Sequence, residues 1–190
     1  MKIIDQFLIP MKYNPAIHHR RSIRLKGYDY SKEGMYFNTI CCDCRKCWFG
    51  NIENEIMILN EYGKIADHKW NDLPNRFLNI ELGEFRIMPN HMHDIIMIQS
   101  SDSGSGVSPD HTNPTKTNTI NKTVGDMVGA YKSIVAVKCL AIFKMQNQKM
   151  GKLWQRNYYE HIIRDEQSFN NISSYIIYNP KNWQHDKFNI

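Results

Sequence analysis

The feature that most constrains this chain is an apolar stretch that opens with two histidines. Residues 91–98, HMHDIIMI, are followed by a run rich in serine and glycine, and this pattern predicts a β-strand. Successive side chains of a strand point to opposite faces, so His91 and His93 share one face while Met92 points away. Two neighbouring imidazoles are common ligands of a divalent metal. Because the chain has eight histidines, the spacing alone leaves a metal site and a structural pair open.

Composition bounds the class of protein. The chain has 190 residues, 42% of them hydrophobic, which is enough for one well-buried domain, and its net charge of +5 favours an anionic partner. No apolar run approaches the roughly 20 residues that cross a bilayer, so we expect no membrane partner. Asp5 and Pro10 interrupt the apolar N-terminus, which argues against a signal peptide. We therefore expect a cytoplasmic protein.

Four cysteines crowd into residues 41–47. Cys44 and Cys47 have the spacing of a zinc-ligand pair. Cys41 and Cys42 are adjacent at the end of a predicted strand, so their side chains should point to opposite faces, and no separate second pair completes a zinc site. We interpret the cluster as reduced thiols, since disulfides are rare in the cytoplasm.

Apolar periodicity and turn signals predict alternating strands and helices. A capping box at Thr123 and Asp126 starts one helix, Asp165 starts the last, and Pro180 ends it near Asn179. Strands are predicted at residues 35–42, 55–59, 77–88, 91–98 and 153–163, and helices at residues 65–71, from 124 onward, and from 166 to about 178. This order predicts a ferredoxin-like α+β sandwich, an antiparallel sheet with helices on one face plus a C-terminal helix that carries a tyrosine.

Two segments lie outside these elements. Residues 1–34 form a basic arm that either contacts phosphates or is solvated, and residues 100–121 have too few apolar side chains to order themselves and form a flexible loop. One domain at residues 35–190, with this loop as an insertion, is the simplest organisation. Candidate contacts to nucleic acid are Arg20, Arg21, Arg24, Lys132, Lys138 and Arg156.

The last predicted helix carries a second group of candidate site residues. Tyr175 and Asn179 are four positions apart, so they share a helix face. Phe169, Ile172 and Ile176 mark the buried stripe of the helix, and Tyr175 lies at its edge. Spacing alone favours an aromatic residue at the edge of the core over a nucleophile.

Four sequence blocks together carry a family resemblance. PNHMHDIIMI resembles the His-hydrophobic-His signature of the HUH endonuclease superfamily, in its small single-tyrosine transposase branch. GMYFNTICC, KLWQRNYYEHIIRDE and SSYIIYNPKNW are similar to blocks of the REP-associated tyrosine transposase-like proteins, and they occur in that family's order. The matching blocks extend from about residue 20 to residue 186. The resemblance implies the same ferredoxin-like fold.

The resemblance also implies a chemistry. Tyr175 would be the nucleophile, and His91, His93 and Asn179 would hold Mg²⁺ or Mn²⁺, with Asn179 where related transposases carry glutamine. The implied reaction cleaves and rejoins single-stranded DNA, beside a hairpin, through a covalent 5′-phosphotyrosine. Such a reaction retains the phosphodiester energy and needs no ATP.

Alternatives remain at this stage. Tyr158 and Tyr159 are rival nucleophiles on the predicted strand, where Glu160 and His161 could assist proton transfer. A non-catalytic nucleic-acid-binding module and a metal-dependent hydrolase without a covalent step are the other function classes. Both a monomer and a homodimer stay open.

Overall fold

The computed structural model describes residues 27–99 and 122–189. The predicted basic arm, apart from residues 27–34, lies outside these ranges, and so do its candidate contacts Arg20, Arg21 and Arg24. The predicted loop at residues 100–121 lies wholly outside them. Within the described ranges, no helix is both long enough and apolar enough to cross a membrane.

A four-stranded antiparallel sheet forms the centre of the fold. In chain order the elements are β1 (Gly34–Cys41), β2 (Gly50–Glu53), β3 (Ile56–Leu59), α1 (Glu61–Asn71), β4 (Ile80–Ile87), β5 (His91–Ile98), α2 (Val124–Met145), β6 (Tyr159–Ile163) and α3 (Glu166–Tyr178). The sheet has the strand order β4-β5-β1-β6, and β2 and β3 form a separate hairpin. This topology confirms the predicted ferredoxin-like sandwich.

The helices pack on both faces of the sheet. On one face, Tyr36 and Met92 of the sheet lie in one apolar cluster with Trp70 of α1 and Tyr131 of α2. On the other face, Ile95 lies in a second cluster with α3. The helix that follows the last strand therefore covers the face opposite to α1 and α2.

The central strand β5 is buried on both faces. Its Met92 side packs against α1 and α2, and its His91 side faces α3. On the α1 and α2 side, Asn38 of β1 donates a hydrogen bond from Nδ2 to Oδ1 of Asp94 at 2.7 Å. Burial raises the pKa of Asp94 well above its usual range, because the charged form would have to leave water. The strand that presents the histidines thus carries, on its reverse face, a buried carboxyl whose charged form is disfavoured.

Two predicted boundaries are wrong. The helix predicted to begin at residue 65 begins at Glu61, because the side chain of Asn60 accepts the backbone N–H of Gly63 at 2.9 Å as an N-cap. The strand predicted at residues 153–163 begins only at Tyr159. Before that, the ammonium of Lys132 binds the carbonyl oxygens of residues 155, 156 and 157, which draws this segment toward α2.

The capping predictions are confirmed. Thr123 and Asp126 form a reciprocal capping box at the start of α2. Asp165 accepts the backbone N–H of Ser168 at 2.7 Å at the start of α3, and α3 ends at Tyr178. Since α3 begins and ends where its caps require, the positions that it presents to the sheet are fixed locally.

Two helix glycines make a matched test of close packing. A Cβ at Gly63 would lie 2.2 Å from the carbonyl oxygen of Phe49, whereas a Cβ at Gly129 would meet nothing within 4 Å. We expect Gly63→Ala to lower the free energy of unfolding by about 1–3 kcal/mol through overpacking. Gly129→Ala should raise it by about 0.5–1 kcal/mol, since alanine favours a helix. Urea unfolding measures both, and equal effects at the two positions would contradict the close contact.

Candidate active site

The two histidines of β5 converge at their ring nitrogens. His91 lies opposite Cys41 of β1, and His93 lies opposite Thr39, so both point to the α3 side of the sheet. Their Nε2 atoms are 3.1 Å apart. Two ligands at about 2.1 Å from an ion and at right angles to each other lie about 3.0 Å apart. The spacing therefore fits two adjacent ligands of one octahedral cation.

The other ring nitrogen of each histidine has its own partner. Nδ1 of His91 lies 2.9 Å from Oδ1 of Asn90, and Nδ1 of His93 lies 2.9 Å from the hydroxyl of Thr39. Metal-binding histidines usually have such a partner, which fixes the ring and leaves the remaining nitrogen for the ion. The hydrogen bonds of both rings are therefore compatible with metal binding through Nε2.

Both imidazoles are neutral. Burial lowers the pKa of His91 to about 3, with the cations of Arg45 and Lys187 acting in the same direction and the side chain of Asn179 opposing them. Burial also lowers the pKa of His93 well below its usual range, and the neighbouring His91 adds to the effect. Since metals bind neutral imidazole, the pair is in its ligating form at neutral pH.

Helix α3 brings a tyrosine to the pair. The hydroxyl of Tyr175 lies 3.1 Å from Nε2 of His93. The side chain is 40% exposed, so the hydroxyl sits at the border between the site and solvent. Burial raises the pKa of Tyr175 to about 12, and the carboxylate of Asp186 adds to this, while Asn179 opposes it. Without a nearby cation, this tyrosine is a weak nucleophile.

Asn179 lies one turn after Tyr175 and is fully buried. Its Nδ2 donates to Oδ2 of Asp186 at 2.8 Å, which orients the amide. Its Oδ1 has no hydrogen-bond partner. A buried carbonyl oxygen without a partner costs about 1–3 kcal/mol, so this atom is a fitting ligand for a cation.

Asp186 is a candidate ligand that was not predicted from the sequence. A ligating oxygen of this residue and ring nitrogens of His91 and His93 lie within 4.8 Å of one another, as a group of three metal-ligating side chains requires. Asp186 accepts the backbone N–H of Phe188 at 2.7 Å, so its carboxylate is held in place. In the sequence, Asp186 lies between Trp183 and Phe188, a few residues after Pro180, and no motif marks it.

Aromatic residues of the C-terminal segment enclose His91. The ring centroids of Phe188 and His91 are 4.6 Å apart. The ring of Trp183 stacks on the ring of His91, with 6.1 Å between the centroids. The guanidinium of Arg45 lies 5.0 Å from the Phe188 ring. This packing excludes water from one side of the pair, and it strengthens electrostatic interactions there.

The other side of the site opens into a cleft of about 530 Å³. Phe37 and Thr39 of β1, His93, Tyr175, Asn179, and Asn182, His185, Asp186 and Lys187 of the C-terminal segment line it. The cleft thus holds the tyrosine hydroxyl, one of the two imidazoles and the carboxylate together. A substrate that enters it meets all three.

The rival tyrosines do not approach the pair in the same way. Tyr158 donates to Glu160 and packs against the cluster under α1 and α2. Tyr159 lies opposite Thr39 on the site face and is 50% exposed, with its ring 6.4 Å from Phe188. Tyr175 is therefore the stronger candidate.

The remaining candidates are less central. His161 lies opposite Phe37 on the site face and is exposed. Lys138 and Arg156 are exposed, whereas Lys132 has its ammonium on three carbonyl oxygens and supports the segment that carries Arg156. That these three contact nucleic acid stays a prediction.

The cysteines carry free thiols. Cys41 and Cys42 are buried, and Cys44 and Cys47 are exposed. Cys42 lies in the cluster under α1 and α2, and Cys41 lies beside His91 on the other face, as their adjacency on a strand end predicts.

Comparison with known proteins places the chain in a family. No protein-family model matches the chain. A Haemophilus influenzae protein, named only as uncharacterized, is 43% identical over 178 residues, which cover 93% of the chain and 96% of that protein. The chain belongs to the same family as this protein. A second H. influenzae protein, provisionally named a REP-associated tyrosine transposase, is 24% identical over 171 residues, 84% of the chain and 82% of that protein.

A solved structure matches the fold. It is a REP-associated tyrosine transposase bound to a REP hairpin, with a TM-score of 0.57 and 18% identity, covering 86% of the chain and 76% of that protein's chain. At this identity, the likeness establishes the fold. The expected resemblance to the REP-associated tyrosine transposases is therefore confirmed, in fold and in distant sequence similarity.

The histidine pair predicts a metal-dependent gain in stability. A ligand at 100 times its dissociation constant stabilises the folded state by about 2.7 kcal/mol. We expect Mn²⁺ to raise the melting temperature of the wild-type protein and to have no such effect on His91→Ala/His93→Ala. His68→Ala, which removes an exposed histidine of α1, is the control and should respond like wild type. A double variant that still gains stability from Mn²⁺ would contradict the site.

Proposed function

We propose that this protein is a metal-dependent transposase or endonuclease that cleaves and rejoins single-stranded DNA through Tyr175. The observation that carries the proposal is the 3.1 Å contact between the Tyr175 hydroxyl and Nε2 of His93, within a cleft that also holds Asp186. A buried pair of neutral histidines beside the hydroxyl is not expected for a tyrosine that only packs at the edge of the core. The fold that the chain shares with a hairpin-bound transposase supports the same proposal.

The residues of the site fit a divalent cation. His91, His93 and Asp186 would hold it, and the unpartnered Oδ1 of Asn179 would complete the set. The mixture of two nitrogen and two oxygen donors suits Mn²⁺ and also accepts Mg²⁺. Such an ion, when bound, polarises the scissile phosphate and offsets the negative charge of the transition state.

The residues of the chain then perform a phosphoryl transfer. Tyr175 loses its phenolic proton and forms a bond from its oxygen to the phosphorus, and the bond from phosphorus to the 3′-oxygen breaks. The 3′-oxygen leaves with a proton, and the 5′-phosphate stays on Tyr175. Because the phosphodiester bond energy is kept, a 3′-hydroxyl can attack the phosphotyrosine and rejoin a strand. His185 and Lys187 line the same cleft, where a phosphate would lie.

The surroundings of the cleft suit an unpaired strand. Tyr159, half exposed on the site face, offers a ring on which a base can stack, and stacking on aromatic rings is worth about 1–3 kcal/mol per base. Exposed Arg156 lies three residues before Tyr159 in the chain and offers a cation for the backbone. We propose single-stranded DNA beside a hairpin as the substrate.

Replacement of the nucleophile gives the decisive test. Tyr175→Phe removes one oxygen at the border of the core, so the fold should persist while the covalent adduct disappears. Tyr178→Phe removes an exposed hydroxyl of the same helix and should form the adduct like wild type. The measurement is a DNA–protein adduct that survives detergent, with the modified peptide mapped. If Tyr175→Phe still forms the adduct, and Tyr158→Phe or Tyr159→Phe does not, the nucleophile lies in the segment that includes β6.

Substrate form gives a second test. We expect tighter binding to a hairpin with a single-stranded flank than to a blunt duplex of the same sequence, with affinity falling as salt rises. Fluorescence anisotropy at two salt concentrations measures both effects. Equal affinity for the blunt duplex would exclude the proposed preference.

The same experiments separate the other function classes. A metal-dependent hydrolase would cut DNA without an adduct, and a binding module would neither cut nor form one. His91→Ala/His93→Ala should lose cleavage but keep most DNA binding, because binding depends on distributed cationic contacts.

A further inference from the structure

One side chain, Asn90, joins three parts of the site. It is buried at the bend between β4 and β5. Its Oδ1 lies 2.9 Å from Nδ1 of His91. Its Nδ2 donates to the carbonyl oxygen of Phe188 at 2.7 Å and to that of Arg45 at 3.2 Å. Every polar atom of the side chain is therefore engaged.

These contacts settle the orientation of the amide. The carbonyl oxygens of Phe188 and Arg45 can only accept hydrogen bonds, so they must face the NH₂ group of Asn90. The amide oxygen is then turned toward His91, and it too can only accept. Nδ1 of His91 must therefore carry the proton. Its Nε2 carries a lone pair, which is directed toward His93.

We propose that Asn90 is a positioning residue of the metal site, which holds His91 in the tautomer whose Nε2 is free to bind the ion. The inference rests on the proposed function and adds to it a residue outside the ligand set. Partners of this kind fix the ring and its tautomer, and their loss lowers metal affinity or activity by about 10–100-fold.

Thr39 serves His93 in a different way. A hydroxyl can donate or accept, so the 2.9 Å contact between Thr39 and Nδ1 of His93 allows either tautomer. In the metal-free protein, His93 can donate from Nε2 to the lone pair of His91, 3.1 Å away. With an ion between the rings, that proton has to move to Nδ1. Thr39 accommodates the change, whereas Asn90 permits only one state of His91.

The tautomer can be measured directly on the full chain. Long-range ¹H–¹⁵N correlations of ¹⁵N-labelled histidine distinguish a protonated ring nitrogen from an unprotonated one. In the metal-free wild-type protein we expect His91 to carry its proton on Nδ1 alone. A proton on its Nε2 would overturn the proposal, whatever the variants show.

Two variants separate positioning from mere anchoring of the C-terminal segment. Arg45 donates to the carbonyl oxygen of Lys187 at 2.6 Å, so Arg45→Ala loosens the same segment as Asn90→Ala without touching His91. We expect Asn90→Ala to give a mixture of His91 tautomers and to lower Mn²⁺ affinity by about 10–100-fold. Arg45→Ala should keep the wild-type tautomer and nearly the wild-type affinity. Equal losses of affinity with the tautomer intact in both would show that Asn90 is only an anchor.

A third variant covers a failure of Asn90→Ala to fold. Asn90→Asp keeps an acceptor toward Nδ1 of His91 and loses the two donors, so it should keep the tautomer. Loss of the tautomer in this variant would count against the proposal.

The metal-dependent function and the role of Asn90 can also fail separately. Wild-type protein that binds no Mn²⁺ removes the metal-dependent function and this inference with it, whereas unchanged Mn²⁺ affinity in Asn90→Ala removes the inference alone.

Discussion

The pairing of β1 with β5 is the interaction on which the rest of the structure depends. It sets Thr39 opposite His93 and Cys41 opposite His91, with Ile40 opposite Met92 on the reverse face. A shift of this register by one residue would exchange the two faces of β5. The histidines would then lie under α1 and α2, and Met92 would face α3. The burial that stabilises the fold therefore also keeps the two histidines on the face that carries the candidate site.

Local patterns predicted most of the fold. The apolar stretch before a run of serine and glycine predicted β5, and side-chain caps predicted the starts of α2 and α3, because in each case the signal lies within a few residues of the element. The late start of β6 is an error of a different kind, because distant contacts decide it. The ammonium of Lys132 holds residues 155–157 away from the sheet, and no pattern within those residues shows it.

For the candidate site, too, the sequence predicted what lies within a single strand or helix. Strand and helix periods showed that His91 and His93 share one face, and that Tyr175 and Asn179 share another. That these two faces meet follows from the packing of α3 on the sheet, which the fold resemblance implied and periodicity did not. Asp186 was missed because it lies in a segment without regular secondary structure. Distant residues hold this segment in place: Asn90 donates a hydrogen bond to the carbonyl oxygen of Phe188, and Arg45 donates one to that of Lys187.

The net charge of the candidate metal ligands bears on how a cation and a DNA strand would bind. Two neutral imidazoles, one amide and the carboxylate of Asp186 supply a single negative charge. A divalent cation held by them would retain one uncompensated positive charge in a partly buried site, and one phosphodiester group would cancel it. Ion and strand would then each raise the affinity of the other by the same factor. Because the pKa of Tyr175 is raised to about 12 without an ion, this coupling would confine ionisation of the tyrosine to a site that both the ion and the strand occupy.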